Sequence, residues 1–243
     1  MNLIKLNATD STNSYLKNLA KETQLLDETV VITNHQLSGR GQMGNGWLSR
    51  EGQSLTFSMF KLFKDVQIEH QFMISMAVSL GILEALNSVN APAISIKWPN
   101  DILSAKHKIG GVLIENVVEG RLIKYSIIGI GLNVNETDFP NLSQASSLKL
   151  LAGKEFSLEE VLQKILDMVF KRLKNLSHKN FSELKEEYEN SLFQRNTISI
   201  FETPEGLHFN GIIKGVSDIG ELLVDTENDS QRKFQLKEVK LIY

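Results

Sequence analysis

Four charged side chains occupy glycine-rich or turn segments where they could bind a negatively charged group: Arg40, Lys97, Asp101 and Lys108. Three cations and one carboxylate beside exposed backbone N–H groups suit an anionic ligand such as a nucleotide phosphate. A P-loop is excluded at motif level, because no Gly-x-x-x-x-Gly-Lys-Ser/Thr occurs. The sequence also lacks a Gly-x-Ser-x-Gly elbow for a serine nucleophile, and its five histidines lack metal-ligand spacing. These residues predict phosphate binding with no metal site built by the protein itself.

The arginine lies in the most glycine-rich stretch of the chain, Gly39-Arg40-Gly41-Gln42-Met43-Gly44-Asn45-Gly46-Trp47. Glycines allow a backbone to approach a ligand closely. Three of them also fit the dinucleotide fingerprint, which requires a strand leading in and a helix leading out. Residues 55–60 instead alternate as a strand does. The stretch is therefore predicted to join two strands, either as a ligand-binding loop or as a mobile hairpin loop.

Three further segments place polar groups or glycines where a ligand could bind. Residues 10–13, Asp-Ser-Thr-Asn, begin a predicted helix over 11–21, where they can cap the helix or hold a polar ligand head. Residues 97–101, Lys-Trp-Pro-Asn-Asp, form a turn at a strand end, because proline does not continue a central strand. Glycines at 110–111 and at 129 and 131 interrupt strand patterns, which indicates either a close approach of another group or bulges.

The hydrophobic patterns predict an α+β fold, with a mixed sheet and packed helices in the larger domain. A strongly amphipathic helix is predicted over 68–89, and Ser157 with Glu160 forms a capping box before another. A charged helix is predicted over 181–189, and the last fifty residues predict a small all-β barrel. We therefore predict two domains, residues 1–191 and 192–243. The predicted strands cover 3–6, 30–32, 55–60, 94–98, 102–104, 108–115, 123–134, 198–200, 209–213, 221–224 and 233–236.

Composition narrows the class of protein. The 243 residues are 42% hydrophobic and 23% charged, as in an ordinary globular protein. A net charge of −3 without a basic block predicts no nucleic-acid partner. The absence of cysteine excludes disulfides and thiolate metal sites and fits a cytoplasmic location. The longest apolar stretch, residues 73–86, is shorter than the ~20 residues of a membrane span, so no membrane association is expected.

Five segments, in this order, resemble the biotin protein ligases: residues 10–13, 39–47, 97–101, 108–115 (Lys-Ile-Gly-Gly-Val-Leu-Ile-Glu) and 129–133 (Gly-Ile-Gly-Leu-Asn). Each segment alone is weak, but the ordered set is specific. The resemblance covers residues from about 10 to 135, and that family also carries a C-terminal SH3-like β-barrel. It implies that the carboxylate of biotin attacks the α-phosphorus of ATP to give biotinyl-5′-AMP. A lysine of a biotin carboxyl carrier protein then displaces AMP, and Mg²⁺ is implied as the partner of ATP.

The resemblance also implies roles for individual residues. Lys108, Arg40 and Asp101 would be catalytic, with Lys108 neutralising charge on the phosphate and acyl oxygens and Asp101 orienting Lys108 or the incoming amine. Ser11, Thr12 and Gln36 would hydrogen-bond the ureido head of biotin, and Trp47 would lie against the apolar body of its ring system. The residues expected at biotin are Ser11, Thr12, Asn13, Gln36, Gly39, Arg40, Gly41, Trp47, Lys108, Gly110, Gly111, Gly129 and Gly131. Those expected at ATP or the adenylate are Arg40, Gln42, Met43, Trp47, Lys97, Asn100, Lys108 and Asn133.

This chain departs from the family pattern at the glycine-rich loop. Several family members carry further arginines where this chain has Gln42, Met43 and Asn45. Fewer cations would hold the phosphoanhydride, and hence the adenylate, less tightly.

Other expectations concern organisation and alternatives. The motifs begin within the first dozen residues, so we expect a short form without an N-terminal DNA-binding domain. The chain is expected to be a monomer or a homodimer. Two alternatives stay open at this point: a lipoate protein ligase, and a non-catalytic biotin-sensing regulator.

Overall fold

The computed structural model describes residues 1–140, 142–227 and 230–243, without the side chains of Met43 and His178. The strands are β1 (Asn2–Thr9), β2 (Thr29–Gln36), β3 (Ser54–Leu62), β4 (Ile94–Lys97), β5 (Asp101–Ser104), β6 (His107–Glu119), β7 (Leu122–Asn133), β8 (Ile198–Glu202), β9 (His208–Val216), β10 (Leu222–Thr226), β11 (Gln231–Phe234) and β12 (Lys240–Ile242). The helices are α1 (Thr12–Glu22), α2 (Phe72–Ser88), α3 (Leu148–Ala152), α4 (Leu158–Lys174) and α5 (Phe181–Asn190). The predicted α+β class is confirmed.

Seven strands form one mixed sheet in the order β1-β2-β3-β7-β6-β5-β4. β1 and β2 are parallel and are joined through α1, whereas the other neighbours in the sheet are antiparallel. Long β6 and β7 pair directly, so that Gly111 lies opposite Gly131 and Leu113 opposite Gly129. The glycine-rich loop joins β2 to β3, which confirms the strand-to-strand prediction.

Helix α2 differs from the prediction of a strongly amphipathic helix. It begins at Phe72, after a short 3₁₀ turn, and is buried on both its predicted face and the opposite one. Ile74, Val78 and Ile82, which lie outside the predicted apolar face, are as buried as Met76. The reason is that α2 packs against α4 and α5 as well as the sheet. The prediction of a single apolar face was wrong.

The predicted C-terminal β module is a five-stranded antiparallel sheet, ordered β11-β10-β9-β8-β12. Strand β12 was not predicted. Among the described residues, β11 and β12 are the edges of this sheet and no pairing closes it, so the structure supports a sheet rather than a closed barrel. The division into residues 1–191 and 192–243 stays a prediction. At that point the chain pairs with β4: Ile96 N donates to Ser191 O at 2.9 Å, and Phe193 N donates to Ile96 O at 2.8 Å.

Within the described part of the chain, none of the helices is both long enough and apolar enough to cross a bilayer.

Candidate functional site

A cavity of about 260 Å³ lies where the predicted motif segments meet. The start of α1, the end of β2, the glycine-rich loop, the β4–β5 turn and the paired glycines of β6 and β7 all contribute to its wall. Its lining residues include Ser11, Thr12, Asn13, Gln36, Arg40, Gly41, Gln42, Trp47, Asn100, Asp101, Lys108, Gly111, Gly129 and Gly131. Segments far apart in sequence therefore converge at one site.

One side of the cavity is formed by a polar cluster, which we define as Thr12, Asn13, Gln36 and Ser58. The first three residues line the cavity and Ser58 lies behind them; all but Gln36 are buried. The Gln36 side-chain oxygen accepts from Thr12 N at 2.9 Å and lies 3.2 Å from the Thr12 hydroxyl. The Ser58 hydroxyl lies 2.7 Å from Thr12 Oγ1 and 2.6 Å from Asn13 Oδ1. Asn13 donates to the Leu113 carbonyl at 3.4 Å and to Glu115 at 3.1 Å. Contacts between four elements therefore fix these side chains.

Ser11 occupies the N-cap position of α1, but its side chain makes no capping hydrogen bond. Gln36, from β2, binds the first free N–H of the helix instead. The buried Ser11 side chain is 3% exposed and lines the cavity. The interpretation of residues 10–13 as capping residues alone is wrong for Ser11.

Two glycines of β7 make room for side chains in the cavity wall. A Cβ on Gly129 would lie 2.3 Å from Asn13 Oδ1, and a Cβ on Gly131 would lie 2.3 Å from the indole of Trp47. Both distances are shorter than side chains tolerate, so any residue other than glycine would displace Asn13 or Trp47. These glycines reflect a close approach of side chains, which was one of the two predicted explanations.

Charged side chains, in contrast to the neutral polar cluster, form a cationic cluster, which we define as Arg40, Lys97, Asp101 and Lys108. Lys108 Nζ lies 2.6 Å from Asp101 Oδ1, and Lys97 Nζ lies 3.7 Å from Asp101 Oδ2. Burial lowers the pKa of Lys97, and the attraction of Asp101 only partly offsets that effect. In the described residues, the Arg40 side chain makes no hydrogen bond or ion pair and lines the cavity. One carboxylate is thus shared by two lysines beside an available guanidinium.

Backbone contacts hold the members of the cationic cluster in place. Lys108 N donates to Gln144 O at 2.7 Å, and the Lys108 carbonyl accepts from Ser146 N at 2.9 Å. Asn100 donates through Nδ2 to the Val112 carbonyl at 2.7 Å, so the β4–β5 turn is tied to β6. Across the base of the glycine-rich loop, Trp47 N donates to Gly39 O at 2.9 Å.

Several predicted residues lie outside the cavity lining. Gly39 packs against Trp47 and Gln36, Gly110 lies between strands, and Lys97 pairs with Asp101 without lining the cavity. Asn133 is buried and donates to the Ser146 carbonyl at 3.1 Å. The predicted role of the Met43 side chain falls outside the described residues.

Some relevant residues were missed by the sequence reasoning, among them Ser58, Leu236 and Lys237. Ser58 is fully buried in the polar cluster, and Leu236 and Lys237, from the turn between β11 and β12, line the cavity. Ser58 looks like any polar residue on an alternating strand, and Lys237 lies more than a hundred residues from the motifs. A second cavity, of about 700 Å³, shares Gln42, Pro99, Asn100, Val112 and Leu236 with the first.

The fold and the site define a class of protein, and a family model identifies it. Residues 6–133, more than half of the chain, match the model of the Biotin/lipoate A/B protein ligase family. The chain belongs to this family, as the ordered motifs predicted.

Comparison with individual proteins shows which members of this family the chain is similar to. The Bacillus subtilis protein named "Bifunctional ligase/repressor BirA" is 30% identical over 217 residues, 88% of this chain and 66% of that protein. A "Biotin--[acetyl-CoA-carboxylase] ligase" of Mycobacterium tuberculosis is 27% identical over 220 residues, 89% of this chain and 80% of that protein. The solved structure "Biotin protein ligase from Aquifex aeolicus in complex with biotin and ATP" has a TM-score of 0.80 and 29% identity, covering 99% of this chain and 98% of that one. The chain spans 66% and 62% of the lengths of the two Bacillus relatives.

Proposed function

We propose that this protein is an ATP-dependent ligase that activates biotin as biotinyl-5′-AMP and transfers biotin to a lysine of a biotin carboxyl carrier protein. The observation that carries this proposal is that three members of the polar cluster and three members of the cationic cluster line one cavity. A bicyclic acid needs a polar pocket for its ring head and cations for the end where its carboxylate meets a phosphate. The likeness to the Aquifex structure with biotin and ATP supports the same assignment.

The polar cluster suits a ureido group, which carries N–H donors and a carbonyl acceptor. Ser11, Thr12, Asn13 and Gln36 offer both kinds of partner within the cavity wall. The dithiolane ring of lipoate has no N–H group, so it would leave unpaired the groups of this wall that the protein does not itself satisfy, the Ser11 hydroxyl and the free lone pair of Thr12, at a cost of ~1–3 kcal/mol each. Biotin therefore fits this wall better than lipoate does.

The cationic cluster suits the first chemical step. A carboxylate oxygen of biotin attacks the α-phosphorus of ATP, the bond from that phosphorus to the bridging oxygen breaks, and pyrophosphate leaves. Lys108 and Arg40 would offset the negative charge that accumulates on the phosphate oxygens. The glycines around Arg40 would let backbone N–H groups approach the same oxygens.

The second step is an acyl transfer. The amine nitrogen of the carrier lysine attacks the acyl carbon, the acyl–phosphate bond breaks, and AMP leaves while the amine loses a proton. Asp101 lies 2.6 Å from Lys108, which favours a role in orienting Lys108. Orientation of the incoming amine by Asp101 stays the alternative role.

Magnesium would be held chiefly by the nucleotide. Among the described residues, no group of three or more His, Cys, Asp or Glu side chains is arranged for a metal, and Asp101 is the one carboxylate lining the cavity. Mg²⁺ is commonly bound through substrate phosphates with one or two carboxylates, so this residue set fits an ion delivered as its ATP complex. A cytoplasmic location is part of the same proposal.

ATP–pyrophosphate exchange tests the proposal without any need for the carrier. We expect exchange that depends on biotin and is not supported by lipoate. Exchange that lipoate supports and biotin does not would favour the lipoate ligase. Biotin binding without exchange in either case would favour a biotin-sensing regulator.

A further inference from the structure

A continuous hydrogen-bonded chain links the cavity to a carboxylate outside its lining. It runs from Thr12, which lines the cavity, through Ser58 and Asn13 to Glu115 on β6. Ser58 is fully buried, and the Asn13 side chain touches the cavity wall at Gly129. Neither Ser58 nor Glu115 is a cavity-lining residue.

The carboxylate end fixes the orientation of Asn13. Two acceptors, the Glu115 carboxylate at 3.1 Å and the Leu113 carbonyl at 3.4 Å, face one end of its amide. That end must be the NH₂ group, because carboxylate and carbonyl oxygens only accept. The Asn13 oxygen therefore faces Ser58.

The orientation of Asn13 in turn fixes two hydroxyl protons. Asn13 Oδ1 has no proton, so the 2.6 Å contact requires the proton of Ser58. Ser58 has only that proton, so it can serve Thr12 only as an acceptor. The Thr12 proton has two acceptors within reach, Ser58 Oγ at 2.7 Å and Gln36 Oε1 at 3.2 Å, and Ser58 is the nearer. With its single proton donated inside the cluster, Thr12 can offer a ligand only a lone pair.

Glu115 has the environment of an ionised carboxylate. Burial would raise its pKa, but hydrogen bonds from Lys17 and Asn13 outweigh burial and lower the pKa overall, with a further contribution from Arg40. Lys17 Nζ lies 2.7 Å from the other carboxylate oxygen. A charged acceptor at the end of the chain strengthens each hydrogen bond along it.

We propose that Glu115 and Ser58 are positioning residues that make the Thr12 hydroxyl an acceptor for an N–H group of the ligand ring. This inference rests on the proposed function, since the ureido group of biotin supplies that N–H. Specificity then depends on the direction of the hydrogen bonds as well as on the shape of the cavity. A ring that lacks an N–H at this point meets a lone pair in place of a donor.

The affinity of the full chain for biotin, measured by calorimetry, tests the inference together with the rate of pyrophosphate exchange. Ser58→Ala and Glu115→Gln should each raise the Kd for biotin roughly tenfold, about the effect of one buried hydrogen bond. The value of kcat at saturating biotin should change less than about twofold, because neither residue touches the reacting atoms. The double variant should be no weaker than Ser58→Ala alone, because Glu115 acts through Ser58.

Two matched variants separate this effect from structural damage. Ser126→Ala removes another fully buried serine hydroxyl, one that donates to Asn116 at 2.6 Å, and should leave the Kd for biotin unchanged. Lys17→Met removes the ion pair but keeps the carboxylate, and should change the Kd by less than about threefold. In addition, a biotin analogue methylated at the ring nitrogen should bind wild type much less well than biotin, but should distinguish poorly between wild type and Ser58→Ala.

The outcomes are distinct. If wild type binds biotin and the Ser58 and Glu115 variants bind it equally well, or if their losses add in the double variant, the inference is overturned alone. An equal loss of biotin affinity in Lys17→Met would also overturn it, since the ion pair that joins α1 to β6 would then explain the effect. A wild-type protein that does not bind biotin would overturn the proposed function and this inference together.

Discussion

The polar and cationic clusters share a cavity but are built in different ways. The polar cluster is buried and joins α1, β2, β3 and β6 through side-chain hydrogen bonds. The cationic cluster lies at the ends of three strands and in the glycine-rich loop, and the Lys108 side chain is 37% exposed. Neutral polar groups can be buried at little cost once they are hydrogen-bonded, whereas charges are costly to bury.

Lys97 shows the cost of burying a charge within the cationic cluster itself. It is more buried than Lys108, shares the same carboxylate, and has a lowered pKa. Under the proposed function, this comparison indicates that the groups for the ring head are ordered before a ligand binds, while the groups that would neutralise charge lie beside solvent. The predictions below test this division of labour.

The largest effect is expected from Lys108→Ala. Removing this cation should lower kcat for pyrophosphate exchange by about 10²–10³, the range found when one stabilising group is removed from a developing charge. Biotin binding without ATP should fall less than about threefold, because the polar cluster is intact. Lys106→Ala changes an exposed lysine of the same hairpin and is the matched control. If Lys108→Ala lowered biotin affinity by the same factor as kcat, the two clusters would not have separate roles.

Gly129→Ala should have the next largest effect, and on the other cluster. The added Cβ would meet Asn13 Oδ1 at 2.3 Å and force it to move. We expect the Kd for biotin to rise at least tenfold while the KM for ATP changes little. Gly131→Ala, which displaces Trp47 instead, leaves the Asn13 contacts in place and serves for comparison. Equal effects of Gly129→Ala on both substrates would argue that the clusters are not separate.

Gln42→Arg tests the effect of adding positive charge to the cationic side of the cavity. The Gln42 side chain lines the cavity, and an arginine there would add a cation beside the phosphates. Release of biotinyl-5′-AMP should slow severalfold, measured by filter binding of labelled intermediate. Gln42→Met, which keeps length without charge, should not slow release. An unchanged rate in Gln42→Arg would remove the proposed link between loop charge and retention.

The smallest effect concerns the pH dependence of stability at Lys97. Because its pKa is lowered in the folded state, the unfolded chain binds more protons between that lowered pKa and ~10.4. The contribution of Lys97 to the free energy of unfolding therefore rises with pH in that window. The free energy of unfolding, measured with denaturant between pH 8 and 9.5, should rise less steeply with pH in Lys97→Met than in wild type. Parallel curves would contradict the assigned burial cost.

The elements with strong local signals could be predicted from sequence. The capping box at Ser157 is present, since its hydroxyl accepts from Glu160 N at 3.2 Å, and the hairpin around residue 105 lies where its turn residues indicated. Helix α2 was misjudged, because burial on opposite faces follows from its neighbours α4 and α5 and not from its own periodicity. Short α3 and β12 have too few residues to show a period.

The site was predictable to the extent that motifs carry it. Glycines at 129 and 131 pointed to a close approach, but which side chain approaches each one is a tertiary fact. Ser58 carries no local signal, and Glu115 lies in the segment 108–115 but was given no role there. The importance of both comes from contacts made across 45 to 102 residues of sequence. Lys237 enters the cavity from a separate sheet. Such residues become visible only when the strands are placed side by side.

The most direct measurement is transfer of labelled biotin to a carrier domain in the presence of ATP. The proposed function predicts about one label per carrier on a single lysine, dependent on ATP and nearly abolished in Lys108→Ala. No label on the carrier from wild type, or undiminished label from Lys108→Ala, would contradict the claim that these two clusters together activate and transfer biotin.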